Sequence, residues 1–204
     1  MKKNGKIKSE IERRRNMFEN KIDYVNLVGE INYENANQTI HHILQASKRS
    51  DAIVLCMSTC GGDIYAGMSI IETMKFVEIP VFTHALGLIA SMGVNIYLEG
   101  QKRFMAPTAS FMIHGSSVEY SGSLETIEST LNYEKYFDNY LNERIVSTTK
   151  FTKESLDKLL NKKIDVYFTP NKVVEYGFIE NENYIVKSKK EMENKIDEFL
   201  KKDK

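Results

Sequence analysis

The chain has 204 residues, in which 28 lysines and arginines balance 28 aspartates and glutamates. This balance gives no overall field that would favour nucleic acid or an anionic membrane, so neither is expected as a partner. A hydrophobic fraction of 42% is typical of a globular protein and excludes a disordered one, and the length suits one sizeable domain.

The first 20 residues form a charged N-terminal arm without the apolar segment of a signal peptide. No run in the sequence reaches the length of a membrane span. The two cysteines, Cys56 and Cys60, lie in a predicted strand and the loop after it, and they form no metal-ligand pattern with the four histidines. We therefore expect a cytoplasmic protein that needs no metal or other cofactor and has no disulfide framework.

Strands and helices alternate in the next part of the chain, which favours a βαβ series around a parallel sheet. Apolar or β-branched runs predict strands at residues 24–29, 51–58 and 81–86. Helical spacing of apolar residues predicts intervening helices, at residues 34–48 and around Ala66, Ile70 and Met74. A buried helix at 91–98 and short strands at 103–105 and 110–114 follow.

The segment 124–147 predicts a long helix with two adjoining apolar faces. One face is aliphatic: Leu124, Ile127, Leu131, Leu141 and Ile145. The other is aromatic: Tyr133, Tyr136, Phe137 and Tyr140. A helix that is apolar around so much of its circumference needs more than one packing partner, so we expect it to protrude from the domain as a handle.

Two shorter helices and a charged tail complete the predicted elements. Thr152 caps one helix, and a second begins at Thr169-Pro170 and ends at Gly177, with proline first and glycine last. The lysine- and glutamate-rich tail 187–204 predicts an exposed helix. The expected division is an arm at 1–20, one α/β domain at 21–186 and the tail.

Three short patterns have the residue types of acyl-transfer chemistry. Paired glycines in STCGGD follow a predicted strand, Ser91 begins a predicted helix in GLIASMG, and His114 ends a strand in FMIHG. Each pattern alone has an ordinary explanation: a tight turn, a helix N-cap and a structural histidine. His41, His42 and His84 are interpreted as structural histidines.

Together, the three patterns resemble the proteolytic subunit of the Clp proteases, the ClpP family, from about residue 24 to residue 180. GLIASMGVNIYLEGQKRFMAPTASFMIHG resembles that family's serine-to-histidine block, CGGDIYAGMSIIETM its oxyanion loop and following helix, and DVYFTPNKVVEYGFIE the segment that supplies the acid. The resemblance implies Ser91 as nucleophile, His114 as general base and Asp165 as the residue that orients the histidine. It also implies the backbone amides of Gly62 and Met92 as the oxyanion hole.

The same resemblance implies a ClpP/crotonase-like α/β fold with repeated β-β-α and βαβ units and a protruding handle helix. The implied activity is that of a serine endopeptidase that hydrolyses unfolded polypeptides through an acyl-enzyme. The implied assembly is a homo-oligomer of two stacked heptameric rings. An AAA+ unfoldase is an implied partner, although residues 1–20 do not resemble the family's axial-loop sequence.

The sequence departs from the family pattern at three places. Cys60 stands where the family usually has proline, and Gly115-Ser116 stands where it commonly has Gln-Pro. Asp63 resembles the corresponding loop of phage-encoded and membrane-associated relatives. These departures are compatible with a divergent paralogue or a phage or mobile-element version of the family.

Three alternatives stay open at the level of sequence. A crotonase-type acyl-CoA enzyme shares the fold and the glycine-rich oxyanion hole, but its chemistry does not need a nucleophilic serine. A non-catalytic subunit of a mixed Clp ring is disfavoured because the chain has all three triad residues. A serine–lysine peptidase is disfavoured because no lysine stands in a matching motif.

Overall fold

The structure is a computed structural model that describes residues 20–115 and 121–202. The charged arm predicted at 1–20 therefore lies outside the described residues apart from Asn20. The described strands are β1 Ile22–Val28, β2 Ala52–Thr59, β3 Val81–Ala90, β4 Arg103–Met105, β5 Ser110–Ile113 and β6 Val166–Phe168. The described helices are α1 Tyr33–Ala46, α2 Ile64–Phe76, α3 Met92–Leu98, α4 Leu124–Thr148, α5 Lys153–Leu160, α6 Pro170–Tyr176 and α7 Lys189–Lys202, with a 3-10 turn at Glu182–Tyr184.

The described strands form a single sheet in the order β1-β2-β3-β5-β6, with β4 also paired to β3. The long strand β3 pairs with β4 through its first half and with β5 through its second half, and all of these pairings are parallel. This architecture confirms the predicted α/β fold with a parallel sheet. The short strand β6, which the sequence pattern did not reveal, runs antiparallel to β5.

Helices cover one face of the sheet and bury the larger hydrophobic core. Leu27, Leu55 and Ile89 on neighbouring strands are completely buried there, as are Ile43 of α1 and Ile70 of α2. Nearly continuous apolar strands are expected where a parallel sheet is covered on both faces. The second face of the sheet must therefore also be packed against another element.

The C-terminal helix α7 provides that cover, which corrects the expectation of an exposed tail helix. Met192 and Ile196 stand one helical turn apart and are buried against Val54, Phe82 and Phe104 of the sheet. The remaining positions of α7 are mostly lysine and glutamate, so its average composition suggested full exposure. Its narrow apolar stripe is sufficient to close a second, smaller core.

The long helix α4 begins at Leu124 and ends at Thr148, close to the predicted range. Its C-terminal half joins the core through Leu141 and Ile145, whereas Leu124 and Tyr136 are 81% and 63% exposed. Only part of its apolar surface is therefore covered within one chain. Among the described residues, no helix is both long and apolar enough to cross a membrane.

Candidate active site

The carboxyl ends of three neighbouring strands bring the predicted site residues to one edge of the sheet. The glycine pair follows β2, Ser91 follows β3 and His114 follows β5. In the ladder between β3 and β5, Ala90 is opposite Met112, and the Ser91 amide donates a hydrogen bond to the Met112 carbonyl at 2.9 Å. The register of these parallel strands thus brings together residues that are 23 positions apart in sequence.

Ser91 has a backbone conformation that few residues other than glycine adopt. Its φ is 53° and its ψ is −125°, at the point where β3 gives way to α3. A positive φ at a residue with a Cβ is strained and recurs at functional sites. The side chain makes no capping bond to α3; instead, Ser91 Oγ lies 2.8 Å from His114 Nε2. Ser91 thus occupies the N-cap position of α3, but its side chain does not cap the helix.

The hydrogen bonds of His114 indicate which ring nitrogen holds the proton. Nδ1 lies 2.9 Å from the carbonyl oxygen of Gly115, which can only accept a hydrogen bond. Nδ1 therefore carries the hydrogen, and Nε2 accepts the hydrogen bond from the Ser91 hydroxyl. An imidazole in this tautomer is able to take the serine proton.

The glycine pair is fixed between Ser91 and the loop that follows β1. Gly61 and Gly62 have φ values of +89° and +144°, and a Cβ on Gly62 would lie 2.2 Å from the Ile31 carbonyl oxygen. A Cβ on Gly61 would lie 2.6 Å from Ser91 Cβ. The Ile31 amide donates a hydrogen bond to the Gly61 carbonyl, and the Asp63 amide donates one to the Ile31 carbonyl. Only glycine permits this approach of the loop to Ser91.

The backbone amides of Gly62 and Met92 at this edge have no acceptor within the described residues. Met92 is the first residue of α3, where an amide has no partner within the helix. Both belong to segments directly adjoining Ser91 in space or sequence. Unpaired amides next to a hydroxyl are the groups that can stabilise a developing oxyanion.

The two cysteines have different surroundings. Cys56 is buried in the sheet, and burial raises the pKa of its thiol to about 11, so it stays protonated at neutral pH. Cys60 is exposed on the glycine loop. Neither forms a disulfide within the described residues. Among the described residues, no cluster of three or more His, Cys, Asp or Glu side chains is placed to bind a metal ion.

Asp165 is placed near His114 but is not bonded to it. The antiparallel ladder between β5 and β6 ends with Ile113 opposite Val166, one pair before His114 would stand opposite Asp165. Asp165 is exposed and lines, with His114, an open groove of about 680 Å³. Within the described residues, Ser91 and His114 are joined, whereas the carboxylate of Asp165 is not hydrogen-bonded to His114.

Three further polar residues near Ser91 were not predicted from sequence. Asn95, Asp138 and Asn142 line a small cavity that also contacts Ser91 and His114. The available signal was a single asparagine in the otherwise apolar run of α3, four residues after Ser91. Asp138 and Asn142 lie on α4, where sequence alone does not identify the neighbouring element.

Comparisons with known proteins agree with this geometry. The sequence model of the Clp protease family matches residues 7–188. The ATP-dependent Clp protease proteolytic subunit of Streptococcus uberis is 30% identical over 164 residues, which is 76% of this chain and 81% of that protein. Proteolytic subunit 1 of the ATP-dependent Clp protease of Frankia casuarinae is 31% identical over 167 residues, 81% of this chain and 78% of that protein.

A solved structure of a ClpP1 mutant from Listeria monocytogenes has the same fold, with a TM-score of 0.72 and 26% identity. The superposition covers 83% of this chain and 94% of that one. The acyl-CoA enzyme and the non-catalytic subunit find no support in these matches. The chain belongs to the Clp protease family and is a Clp-type serine endopeptidase.

Proposed function

We propose that the chain hydrolyses peptide bonds with Ser91 as nucleophile and His114 as general base. The observation that supports this assignment is the 2.8 Å hydrogen bond between Ser91 Oγ and His114 Nε2. In this hydrogen bond the serine hydroxyl is the donor. Because the Gly115 carbonyl accepts the hydrogen on Nδ1, Nε2 has no hydrogen and can accept the serine proton. A serine hydroxyl becomes an effective nucleophile only when such a base removes its proton.

The reaction proceeds in two halves. As Ser91 Oγ attacks the scissile carbonyl carbon, its proton passes to His114 Nε2 and the carbonyl oxygen becomes an oxyanion. The amides of Gly62 and Met92 donate to this oxyanion; the loss of one such donor typically costs about 3 kcal/mol of transition-state stabilisation. His114 then protonates the leaving amine, which departs as the acyl-enzyme forms. Water, deprotonated by His114, hydrolyses the ester and restores Ser91.

Asp165 completes the triad in this proposal by replacing the Gly115 carbonyl at His114 Nδ1. A carboxylate keeps the same tautomer as a carbonyl does and also stabilises the imidazolium that forms during catalysis. The β5–β6 register supports the assignment, because one further pair would bring Asp165 opposite His114. The exposed position of Asp165 supports a rearrangement that accompanies assembly of the chain.

The assembly proposed is two stacked heptameric rings held together through α4. The N-terminal half of that helix exposes Leu124, Tyr133 and Tyr136, and exposed apolar surfaces of this kind mark interfaces. The relatives are named as subunits of ATP-dependent proteases, which supports an AAA+ unfoldase as partner and unfolded polypeptides as substrates in the cytoplasm.

Labelling with a fluorophosphonate probe tests the central assignment, because the probe reacts with an activated serine. The full-length chain should be labelled at one site, and Ser91→Ala should remove the label. Native mass measurement on the same sample should give a 14-subunit particle, in keeping with the proposed rings. Peptide hydrolysis by a sample that resists labelling and is insensitive to Ser91→Ala would contradict the assignment.

A further inference from the structure

A small cavity beside Ser91 has a lining that is partly polar and partly aliphatic. Its volume is about 70 Å³, and its walls include Asn95, Asp138 and Asn142 together with Ser91 and His114. The rest of the lining is mainly aliphatic. A cavity in contact with both reacting groups is placed to hold a part of the substrate.

Asn95 lies on α3, one helical turn after Ser91 and on the same side of the helix. All seven residues of α3 are buried, and Asn95 is only 5% exposed. The other polar side chain of this helix, Tyr97, donates its hydroxyl to the Phe104 carbonyl at 3.0 Å. In contrast, Asn95 Oδ1 is buried and has no hydrogen-bond partner among the described residues.

An unpartnered buried amide destabilises the folded protein and calls for an explanation. Tyr97 shows that a polar group on the same helix can be satisfied within the core. Asn95 instead borders the cavity next to the nucleophile. The structure thus points to a ligand group that supplies the missing hydrogen bond.

The opposite wall of the cavity restricts the chemistry of that group. Asp138 and Asn142 stand one turn apart on α4 and face the same cavity. An aliphatic side chain would leave Asn95 Oδ1 unpaired, and a carboxylate, which only accepts hydrogen bonds, would not pair with it either. A carboxamide both donates and accepts hydrogen bonds, so it complements Asn95 whichever way the asparagine amide is turned.

We propose that the cavity selects glutamine or asparagine as the residue that precedes the scissile bond, with Asn95 as the specificity-determining residue. This inference rests on the proposed function, because it takes Ser91 as the nucleophile. The residue before the scissile bond stays attached to Ser91 Oγ in the acyl-enzyme, so its side chain is the one held next to this serine. A cavity of about 70 Å³ favours side chains smaller than those of arginine and the aromatic residues.

The experiment compares short fluorogenic peptides that differ only in the residue before the scissile bond: glutamine, asparagine, leucine, lysine or glutamate. For the full-length protein, kcat/KM should be at least about tenfold higher for glutamine or asparagine than for the other three. Asn95→Leu should lower kcat/KM for the glutamine peptide about tenfold and raise it for the leucine peptide.

If Asn95→Leu does not fold, Asn95→Ser provides a second variant. We expect Asn95→Ser to lose the preference for glutamine and asparagine without gaining a preference for leucine. Asn37→Leu makes the same exchange at an exposed position of α1, outside the cavity, and should leave the whole profile unchanged. A wild-type preference for leucine would overturn the inference, as would an unchanged profile in Asn95→Leu. A preference for lysine would assign selectivity to the Asp138 charge and reject the role of Asn95.

Fluorophosphonate labelling distinguishes a failure of the inference about Asn95 from a failure of the proposed function. A protein that is labelled at Ser91 but prefers leucine refutes only the inference about Asn95. A protein that is neither labelled nor active on any peptide in its assembled state refutes the proposed function, and the inference falls with it.

Discussion

The proposed triad draws its residues from two different parts of the structure, Ser91 and His114 from the buried sheet and Asp165 from an exposed segment. Ser91 and His114 directly follow buried parallel strands, and their hydrogen bond is formed within one chain. Asp165 lies on an exposed segment before a strand of three residues, and it lines the groove without a hydrogen bond to the histidine. The sheet core therefore fixes the nucleophile and base, while the acid depends on a weakly held part of the chain.

A similar contrast divides α4. Its C-terminal half is held by Leu141 and Ile145 in the core, whereas its N-terminal half carries exposed apolar residues. Asp138 and Asn142 stand near the boundary between the halves and line the cavity beside Ser91. In the proposed rings, contacts of a second subunit with the exposed half would thus reach the site through a single helix.

The largest expected effect comes from the core-held pair. Ser91→Ala should reduce peptide hydrolysis to the uncatalysed background, because no other hydroxyl lies at the same place relative to His114 Nε2 within the described residues. His114→Ala should be similarly severe. Circular dichroism and native mass should be unchanged. Turnover that persists after contaminating proteases have been excluded would end the serine-nucleophile hypothesis.

The next effect tests the exposed member of the triad. Asp165→Asn should lower kcat by a factor on the order of 10⁴, because an amide favours the wrong histidine tautomer and cannot stabilise the imidazolium. Asp23→Asn, which removes a carboxylate paired with Arg49 on the surface, serves as the matched control. A loss below about tenfold would show that the Gly115 carbonyl suffices to orient His114.

Tyr136→Asp should separate the particle into smaller species and reduce peptidase activity, while the protomer stays folded. Tyr136 is 63% exposed on α4, so a charge there is tolerated by one chain but not in a buried interface. Analytical ultracentrifugation measures the change. Tyr33→Asp, at a tyrosine that is 65% exposed at the start of α1, is the control.

Tyr140 is less suitable for this test than the sequence suggested. Its side chain is half-buried against the core, and its hydroxyl accepts a hydrogen bond from Lys75 at 3.3 Å. Tyr140→Asp should therefore lower protomer stability as well as assembly. A monodisperse and fully active wild-type monomer at micromolar concentration would rule out the ring assembly altogether.

The smallest effect concerns the oxyanion loop. Cys60→Pro should raise the free energy of unfolding by roughly 0.4–1 kcal/mol through the unfolded state, with activity retained. Among the described residues, the Cys60 amide donates no hydrogen bond, and Thr59 before it is in the extended conformation that precedes proline. Thermal unfolding measures the effect. A lower melting temperature together with lost activity would show that the loop has a different φ at this position.

Local sequence signals predicted the fold class and most elements, because strand runs, helical spacing and caps act over a few residues. Thr152 caps α5 as predicted, in a capping box with Ser155. Pro170 and Gly177 begin and end α6 as expected, with Gly177 in the left-handed conformation. The motifs around Ser91 and His114 likewise identified residues that the structure brings together.

Only the tertiary structure decided the features that depend on strand register and on which element packs against each face of a sheet or helix. The contact between Ser91 and His114 is a consequence of the pairing of β3 with β5. Asp165 is separated from His114 because the β5–β6 ladder ends one residue pair too early to bring them opposite each other. The burial of Met192 and Ile196 required a second open face of the sheet, which average composition does not reveal. The lack of a partner for Asn95 Oδ1 is a property of the cavity between α3 and α4, because sequence alone does not show which groups will surround an asparagine in an apolar run.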